Sequence, residues 1–152
     1  MYRHSRSRPA RAPVPGADER APTRPGRVRL GTRVLLVDDE QMVRGVTRSA
    51  LERHGYDVDE ATDGVAALDL LQGDYRPDAI VLDLMMPGLD GWRTLARIRE
   101  IDPGLPVIVM SGYDTHAGET RSVEPDAELS KPFHLRDLIA TVARAIAARA
   151  AR

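Results

Sequence analysis

Three short apolar runs, each followed by a polar residue, constrain the fold of this 152-residue chain most strongly. They are Val34–Val37 before Asp38, Ala79–Leu82 before Asp83, and Val107–Met110 before Ser111. A continuous apolar run of this length predicts a strand that is buried on both faces, as in a parallel sheet covered by helices. Because the carboxyl ends of parallel strands meet at one edge of the sheet, we expect the polar residues that follow the runs to lie close together.

Helical patterns and two weaker strands separate these runs. A helix with apolar positions 43, 46, 50 and 51 is predicted to end at His54-Gly55, and an outer strand covers 56–61. Asp63 is expected to cap the next helix, and a further helix ends before Pro103. The polar segment 114–123 predicts a short or mobile helix, and a brief strand covers 127–130. The last helix begins near His134, and its apolar residues from Leu135 onward are predicted to face inward. These patterns predict an α/β fold of five strand–helix units, with a parallel five-stranded sheet between two layers of helices.

Composition and charge divide the chain into two parts. Residues 1–31 carry eight Arg against two acids, a charge of +6. Because the overall net charge is −1, the remaining residues carry −7. The first part is rich in Arg and Pro and lacks apolar periodicity, so we predict a disordered tail at 1–31 and one domain at 32–152. A weak nucleic-acid tether, a mitochondrial-type presequence and a wrongly assigned start codon are the alternatives for the tail.

Several classes of protein are excluded by what the chain lacks. It has no cysteine, which excludes disulfides, a thiol nucleophile and thiolate metal sites. No apolar run approaches the roughly 18 residues that cross a bilayer. We therefore expect a soluble, cytoplasmic protein with no membrane contact, and an acidic body that does not bind nucleic acid directly, apart from weak contact by the Arg tail.

Five residues at the predicted strand ends carry the chemistry: Asp38, Asp39, Asp83, Ser111 and Lys131. Two carboxylates about 4 Å apart repel by about 4 kcal/mol at an effective dielectric constant of about 20. One Lys cannot balance three such charges, whereas the hard divalent cation Mg²⁺ can, and it prefers oxygen ligands. The Ser hydroxyl and the Lys ammonium can then hold the oxygens of a phosphoryl group while one carboxylate attacks phosphorus.

These residues and their surroundings resemble the receiver domains of two-component response regulators, from Arg33 to about Ala148. The segments that carry the resemblance are Val34–Glu40, Asp83–Gly91, Met110–Tyr113 and Ser130–Phe133. The resemblance implies a flavodoxin-like, doubly wound fold. It also implies that Asp83 accepts a phosphoryl group from a histidine kinase or a phosphotransfer protein, and that the change is read by a downstream protein.

The resemblance also implies a role for each neighbour of Asp83. Asp39 would bind Mg²⁺ directly and Asp38 mainly through water, with Asp83 and the main-chain carbonyl of Met85 as further ligands. Ser111 and Lys131 would hold the phosphoryl oxygens, and the Lys131-Pro132 peptide would be cis, as is usual in the family. Such a domain is not an enzyme that turns over external substrates; it catalyses only its own phosphorylation and dephosphorylation.

The chain departs from the family pattern at Glu128, where many receivers carry an aromatic residue that moves inward on phosphorylation. A carboxylate cannot enter the same apolar pocket without a large desolvation cost. We therefore expect the signal to be read through Ser111 and the loop at 112–118 instead. Met85 and Tyr113 flank the expected phosphoryl site, and because neither activates water well, a long-lived phosphoaspartate is predicted.

Two other functions remain as alternatives. A degenerate receiver would act as a docking module without phosphorylation, but it would lack an acid, the hydroxyl or the Lys, and all are present. A haloacid-dehalogenase-type phosphatase would carry a second Asp two residues after the nucleophile, where this chain has Met85. No effector segment follows the last helix, so we expect a stand-alone regulator, a relay or a modulator of another protein.

Overall fold

The structure is a computed structural model of the full chain, and it describes residues 30–86, 89–112 and 122–152. The predicted tail at 1–31 therefore lies outside the described residues except for Leu30 and Gly31. The predicted short helix at 114–123 lies outside them except for its last two residues.

Five parallel strands form one sheet in the order β2-β1-β3-β4-β5. Their bounds are Arg33–Val37 (β1), Asp57–Ala61 (β2), Ala79–Asp83 (β3), Val107–Ser111 (β4) and Ala127–Ser130 (β5). The three apolar runs of the sequence form the three central strands, so they are covered on both faces as predicted. The strand order reverses between β1 and β3, and in such sheets the crevice at this reversal, beyond the carboxyl ends of the strands, binds ligands.

Four helices lie within the described residues: Gln41–Arg53 (α1), Gly64–Gln72 (α2), Gly91–Ile101 (α3) and Leu135–Ala150 (α4). Asp63 caps α2 as predicted, because its Oδ1 accepts a hydrogen bond of 2.8 Å from the backbone N–H of Ala66. Helix α1 ends at His54-Gly55, where Gly55 adopts a φ of +90° that favours glycine. The predicted α/β fold is confirmed.

The core consists of two apolar layers, one on each face of the sheet. One layer joins alternate residues of the central strands to α2 and α3, and it includes Leu35, Leu82 and Leu95. The other joins the remaining strand residues to α1 and α4, and it includes Leu36 and Leu138. The predicted inward orientation of Leu135 is wrong, because this side chain at the start of α4 is exposed, and with exposed Met42 and Val46 it lines a shallow cleft.

A network of polar contacts joins α3, β4 and β5 at the amino ends of the strands. The guanidinium of Arg99 pairs with Asp126 at 2.7 Å and also donates to the main-chain carbonyls of Leu105 and Glu124. The same Asp126 carboxylate accepts a hydrogen bond of 2.8 Å from the N–H of Val107. This network fixes the edge of the sheet that lies opposite the predicted site.

Candidate functional site

Asp38 follows β1 and is completely buried. Its Oδ1 accepts a hydrogen bond of 2.9 Å from the N–H of Glu40, which closes the turn into α1. Its Oδ2 is buried and has no hydrogen-bond partner among the described residues. A buried carboxylate oxygen without a partner is costly, so this atom is suited to a ligand that the polypeptide does not supply.

Asp83 ends β3 and is only 3% exposed. Its Oδ1 accepts a hydrogen bond of 2.9 Å from the N–H of Met85, and its Oδ2 lies 3.3 Å from the ammonium nitrogen of Lys131. The chain reaches Lys131 from β5, and the N–H of Lys131 donates to the carbonyl of Ser111 at 2.7 Å. The Lys131-Pro132 peptide is cis, as the resemblance implies.

Asp38, Asp39 and Asp83 form one acidic cluster, since a carboxylate oxygen of each lies within 4.8 Å of the others. Burial raises the pKa of Asp38, and the charges of Asp83 and Asp39 raise it further, against the opposing effects of the Glu40 N–H and of Lys131. Lys131 offsets only part of this negative charge. The donor set consists of oxygen atoms, and Asp38 supplies an unpaired one, so the residues present fit a hard divalent cation such as Mg²⁺.

Ser111 brings a hydroxyl to the same edge from β4, the strand next to β3. The residue is completely buried, and its Oγ has no hydrogen-bond partner in the part of the chain that the structure describes. A hydroxyl in this position can donate to the oxygen of a bound anion. The structure thus brings Asp38, Asp83, Ser111 and Lys131 to one edge of the sheet, with Asp39 exposed beside them.

Met85 and Gly112 border the acidic cluster. The Met85 side chain is 53% exposed, and its sulfur lies directly over Gly112, so that a Cβ at position 112 would overlap it. The thioether therefore spans from the end of β3 to the end of β4. Tyr113, the other predicted flanking residue, lies outside the described residues, as do residues 87 and 88.

Glu128 occupies the middle of β5, in register with Val109 of β4. The residue is half-buried. Its neighbours Ala127 and Leu129 pack against the α1–α4 layer, so the alternation of the strand places Glu128 on the opposite face. The loop through which we expect the signal to be read lies outside the described residues, except for Gly112.

Sequence reasoning missed two residues that shape the site. Asp90 caps α3, since its Oδ1 accepts a hydrogen bond of 2.8 Å from the N–H of Arg93. An Asp immediately before a helical pattern is a recognised capping signal, so this cap could have been predicted from the sequence. Arg44 donates to the main-chain carbonyl of Asp38, a contact between α1 and the turn before it for which the local sequence holds no signal.

Comparisons with known proteins agree with this geometry. The sequence profile of the response regulator receiver domain matches residues 34–143. The response regulator MprA of Mycobacterium bovis (strain BCG / Pasteur 1173P2) is 41% identical over 113 residues, which are 73% of this chain and 49% of the relative. MprA of Mycobacterium avium (strain 104) is 42% identical over 110 residues, which are 71% and 48% of the two chains. The chain thus spans about half the length of these curated relatives.

Receiver domains are among the solved structures of similar fold. A response regulator receiver protein from Sinorhizobium medicae WSM419 is 32% identical with a TM-score of 0.70, and the match covers 78% of this chain and 97% of that one. The receiver domain of a sensor histidine kinase from Pseudomonas aeruginosa PAO1 is 28% identical with a TM-score of 0.69, and the match covers 77% and 98% of the two chains. That structure has a magnesium ion coordinated in its active site cleft.

The described residues contain no helix long and apolar enough to span a bilayer. Receiver domains are signalling modules rather than conventional enzymes, and they take phosphoryl groups from sensor kinases. The sheet, its acidic edge and the matching profile lead to one conclusion: the chain belongs to the response regulator receiver domain family of two-component signalling.

Proposed function

We propose that Asp83 accepts a phosphoryl group from a sensor histidine kinase or a histidine phosphotransfer protein, in the presence of Mg²⁺, and that a downstream protein reads the change. The observation that carries the proposal is the acidic cluster itself, with three carboxylates within 4.8 Å and the ammonium of Lys131 at 3.3 Å from Asp83. None of these side chains belongs to either apolar layer of the core.

In the transfer step, a carboxylate oxygen of Asp83 forms a bond to phosphorus while the bond from phosphorus to the donor histidine nitrogen breaks. The hydrogen bond from the N–H of Met85 to Oδ1 holds the Asp83 carboxylate in one orientation before the attack. The lone pair for the new bond comes from the carboxylate, and the leaving imidazole keeps the electrons of the broken bond and takes up a proton. The result is an aspartyl phosphate.

Catalysis of phosphoryl transfer depends mainly on positioning and on stabilising the charge of the phosphoryl oxygens. Lys131 already pairs with Asp83, and its ammonium is placed to hold an oxygen of the arriving phosphoryl group. The buried hydroxyl of Ser111 donates to a second oxygen. Asp39 would hold Mg²⁺ directly, Asp38 mainly through water, and Asp83 and the Met85 carbonyl would complete the ligand set. When bound, the ion supplies positive charge that offsets the carboxylates and the phosphoryl oxygens.

The two alternatives are less well supported. A docking module that is never phosphorylated has no need for a buried carboxylate oxygen and a buried hydroxyl without partners, as at Asp38 and Ser111. A phosphatase of the haloacid-dehalogenase type needs an acid where Met85 stands, and a thioether cannot donate a proton to a leaving group.

The proposal is tested by incubating the chain with acetyl phosphate and Mg²⁺ and measuring the intact mass. We expect the wild type to gain one phosphoryl group, and to gain none in EDTA. Asp83→Asn should gain none, whereas Asp69→Asn, a change of the same size on the exposed face of α2, should behave as wild type. A wild-type chain that gains no mass with Mg²⁺ present contradicts the proposal. Steady release of phosphate from simple phosphate esters favours the phosphatase.

A further inference from the structure

Asp38 has four hydrogen-bonding groups, and three of them are already engaged. Its N–H donates to the carbonyl of Ala61 on β2 at 3.2 Å, and its Oδ1 accepts from the N–H of Glu40 at 2.9 Å. Its main-chain carbonyl accepts from Nη1 of Arg44 at 2.9 Å. The fourth group, Oδ2, is the buried oxygen without a partner. The direction in which Oδ2 points is therefore set by the other three contacts, and Arg44 supplies the only one that comes from a side chain.

Arg44 is itself held in place by a second contact, which comes from strand β2. Its side chain is 13% exposed, and its Nε lies 3.4 Å from Oε1 of Glu60 on β2, an ion pair without a hydrogen bond. The other oxygen of Glu60 pairs with Arg48, one helical turn later on α1, at 2.9 Å. The guanidinium of Arg44 thus connects the edge strand β2 to the turn that carries Asp38 and Asp39. Its planar fork makes both contacts at once, which the single point charge of a Lys cannot reproduce.

We infer that Arg44 is a positioning residue for the Mg²⁺ site, acting through the main-chain carbonyl of Asp38. The inference rests on the proposed function, since it assigns Asp38 to the ion. In the structure Arg44 contacts Asp38 only at this carbonyl and takes no part in the carboxylate cluster. Loss of the Arg44 contact frees the turn, so that binding the ion must then order it.

A purely electrostatic role for Arg44 predicts the opposite result. A partly buried positive charge near the acidic cluster repels a second cation, so removing it without any change of geometry tightens Mg²⁺ binding. Loss of positioning weakens Mg²⁺ binding. The sign of the change in affinity therefore separates the two roles.

The experiment compares Arg44→Met with Arg48→Met in the full chain, with the Mg²⁺ dissociation constant measured by titration calorimetry in the absence of a phosphodonor. Arg48 is a matched control because it pairs with the same Glu60 but has no contact with Asp38. We expect Arg44→Met to weaken Mg²⁺ binding about tenfold and Arg44→Lys to weaken it less. Arg48→Met should bind Mg²⁺ as the wild type does. Urea unfolding of each variant confirms that it is folded under the titration conditions.

Glu60→Gln keeps Arg44 but weakens the ion pair that anchors it. This variant replaces Arg44→Met in the titration if Arg44→Met does not fold. We expect this variant to lose several-fold in Mg²⁺ affinity. At saturating Mg²⁺, both variants should be phosphorylated by acetyl phosphate at the wild-type rate, because the effect acts on metal binding alone.

The outcomes separate this inference from the function on which it rests. If the wild type binds Mg²⁺ and Arg44→Met binds it equally well or more tightly, the inference is overturned and the proposed function stands. Where Arg44→Met does not fold, the same reasoning applies to Glu60→Gln. A variant that stays slow at saturating Mg²⁺ also overturns it, because that result places Arg44 in the phosphoryl transfer step. If the wild type binds no Mg²⁺, both are overturned.

Discussion

At the scale of single residues, Met85 lies beside the carboxylate that we propose to be phosphorylated. Its N–H orients Asp83, and its thioether lies over Gly112 at the edge of the acidic cluster. A thioether is a weak acceptor and carries no proton, so it neither orients nor activates a water molecule for attack on phosphorus. We therefore predict that the phosphorylated chain is long-lived.

Met85→Asn should shorten that lifetime roughly tenfold, because an amide beside the phosphoryl group can hold the attacking water in place. The measurement is the loss of phosphorylated mass with time in Mg²⁺, after excess acetyl phosphate has been removed. Met42→Asn, at an exposed position on α1, is the matched control and should leave the lifetime unchanged. Loss of the phosphoryl group from the wild type within seconds would contradict the prediction.

The candidate site could be predicted from the sequence where its residues follow apolar strands. Asp38, Asp83 and Ser111 lie together because parallel strands end at one edge, and that edge can be read from the order of the apolar runs. The contact of Arg44 with Asp38 could not be predicted in this way. It depends on how closely the first turn of α1 approaches β2, which tertiary packing decides.

At the scale of secondary structure elements, the start of α3 packs tightly against the end of β3. A Cβ at Gly91 would lie 2.5 Å from the Cα of Leu84 and 3.1 Å from the carbonyl oxygen of Asp83. These are main-chain atoms, which cannot give way as a flexible side chain can. The absence of a side chain at Gly91 therefore lets α3 begin next to the residue that carries the chemistry.

Gly91→Ala should lower the free energy of unfolding by about 1–3 kcal/mol, the usual range for overpacking. Gly45→Ala is the matched control on α1, where no described atom lies within 4 Å of the added Cβ apart from the chain neighbours and the backbone of the helix itself. It should raise the free energy of unfolding by up to about 1 kcal/mol, because Ala favours the helix. Urea unfolding measures both changes. A Gly91→Ala chain as stable as the wild type would show that the turn adjusts without cost.

Element types were easier to predict than the orientation of individual side chains. Helix α2 begins after Asp63 and helix α1 ends at His54-Gly55, as local capping rules require. Leu135 and Val46 fit helical spacing and yet are exposed, since a period of 3.6 residues does not define how wide the buried stripe is. The neighbouring elements set that width, and they are not encoded in the helix itself.

At the scale of the whole molecule, the buried carboxyl group of Asp38 lowers the stability of the metal-free fold at neutral pH. Burial, followed by the charges of Asp83 and Asp39, raises the pKa of Asp38 above its ordinary value of 3.8. Asp38 thus keeps its proton to a higher pH in the folded chain than in the unfolded one. The contribution of Asp38 to the stability of the metal-free fold therefore falls as the pH rises from that ordinary value through the raised pKa, and it stays low at neutral pH.

Mg²⁺ should therefore stabilise the chain more at about pH 7.5 than at about pH 4.5, because the ion competes with the proton on Asp38. At about 100 times its dissociation constant, the ion adds about 2.7 kcal/mol to the free energy of unfolding. The measurement is urea unfolding in MgCl₂ and in EDTA at both pH values. In Asp38→Asn the increment should largely vanish, and the EDTA form should be more stable than the wild type at neutral pH. Equal increments at both pH values would contradict this account.

The contacts around Asp126 lie at the amino ends of the strands, a full strand length from the acidic cluster at the carboxyl ends. This separation has an evolutionary consequence. A substitution at Asp126 that changes the thermal stability of the domain is expected to leave Mg²⁺ binding at the acidic cluster unchanged, because the effects of substitutions this far apart are usually additive. Natural variants can therefore acquire the two kinds of change one at a time.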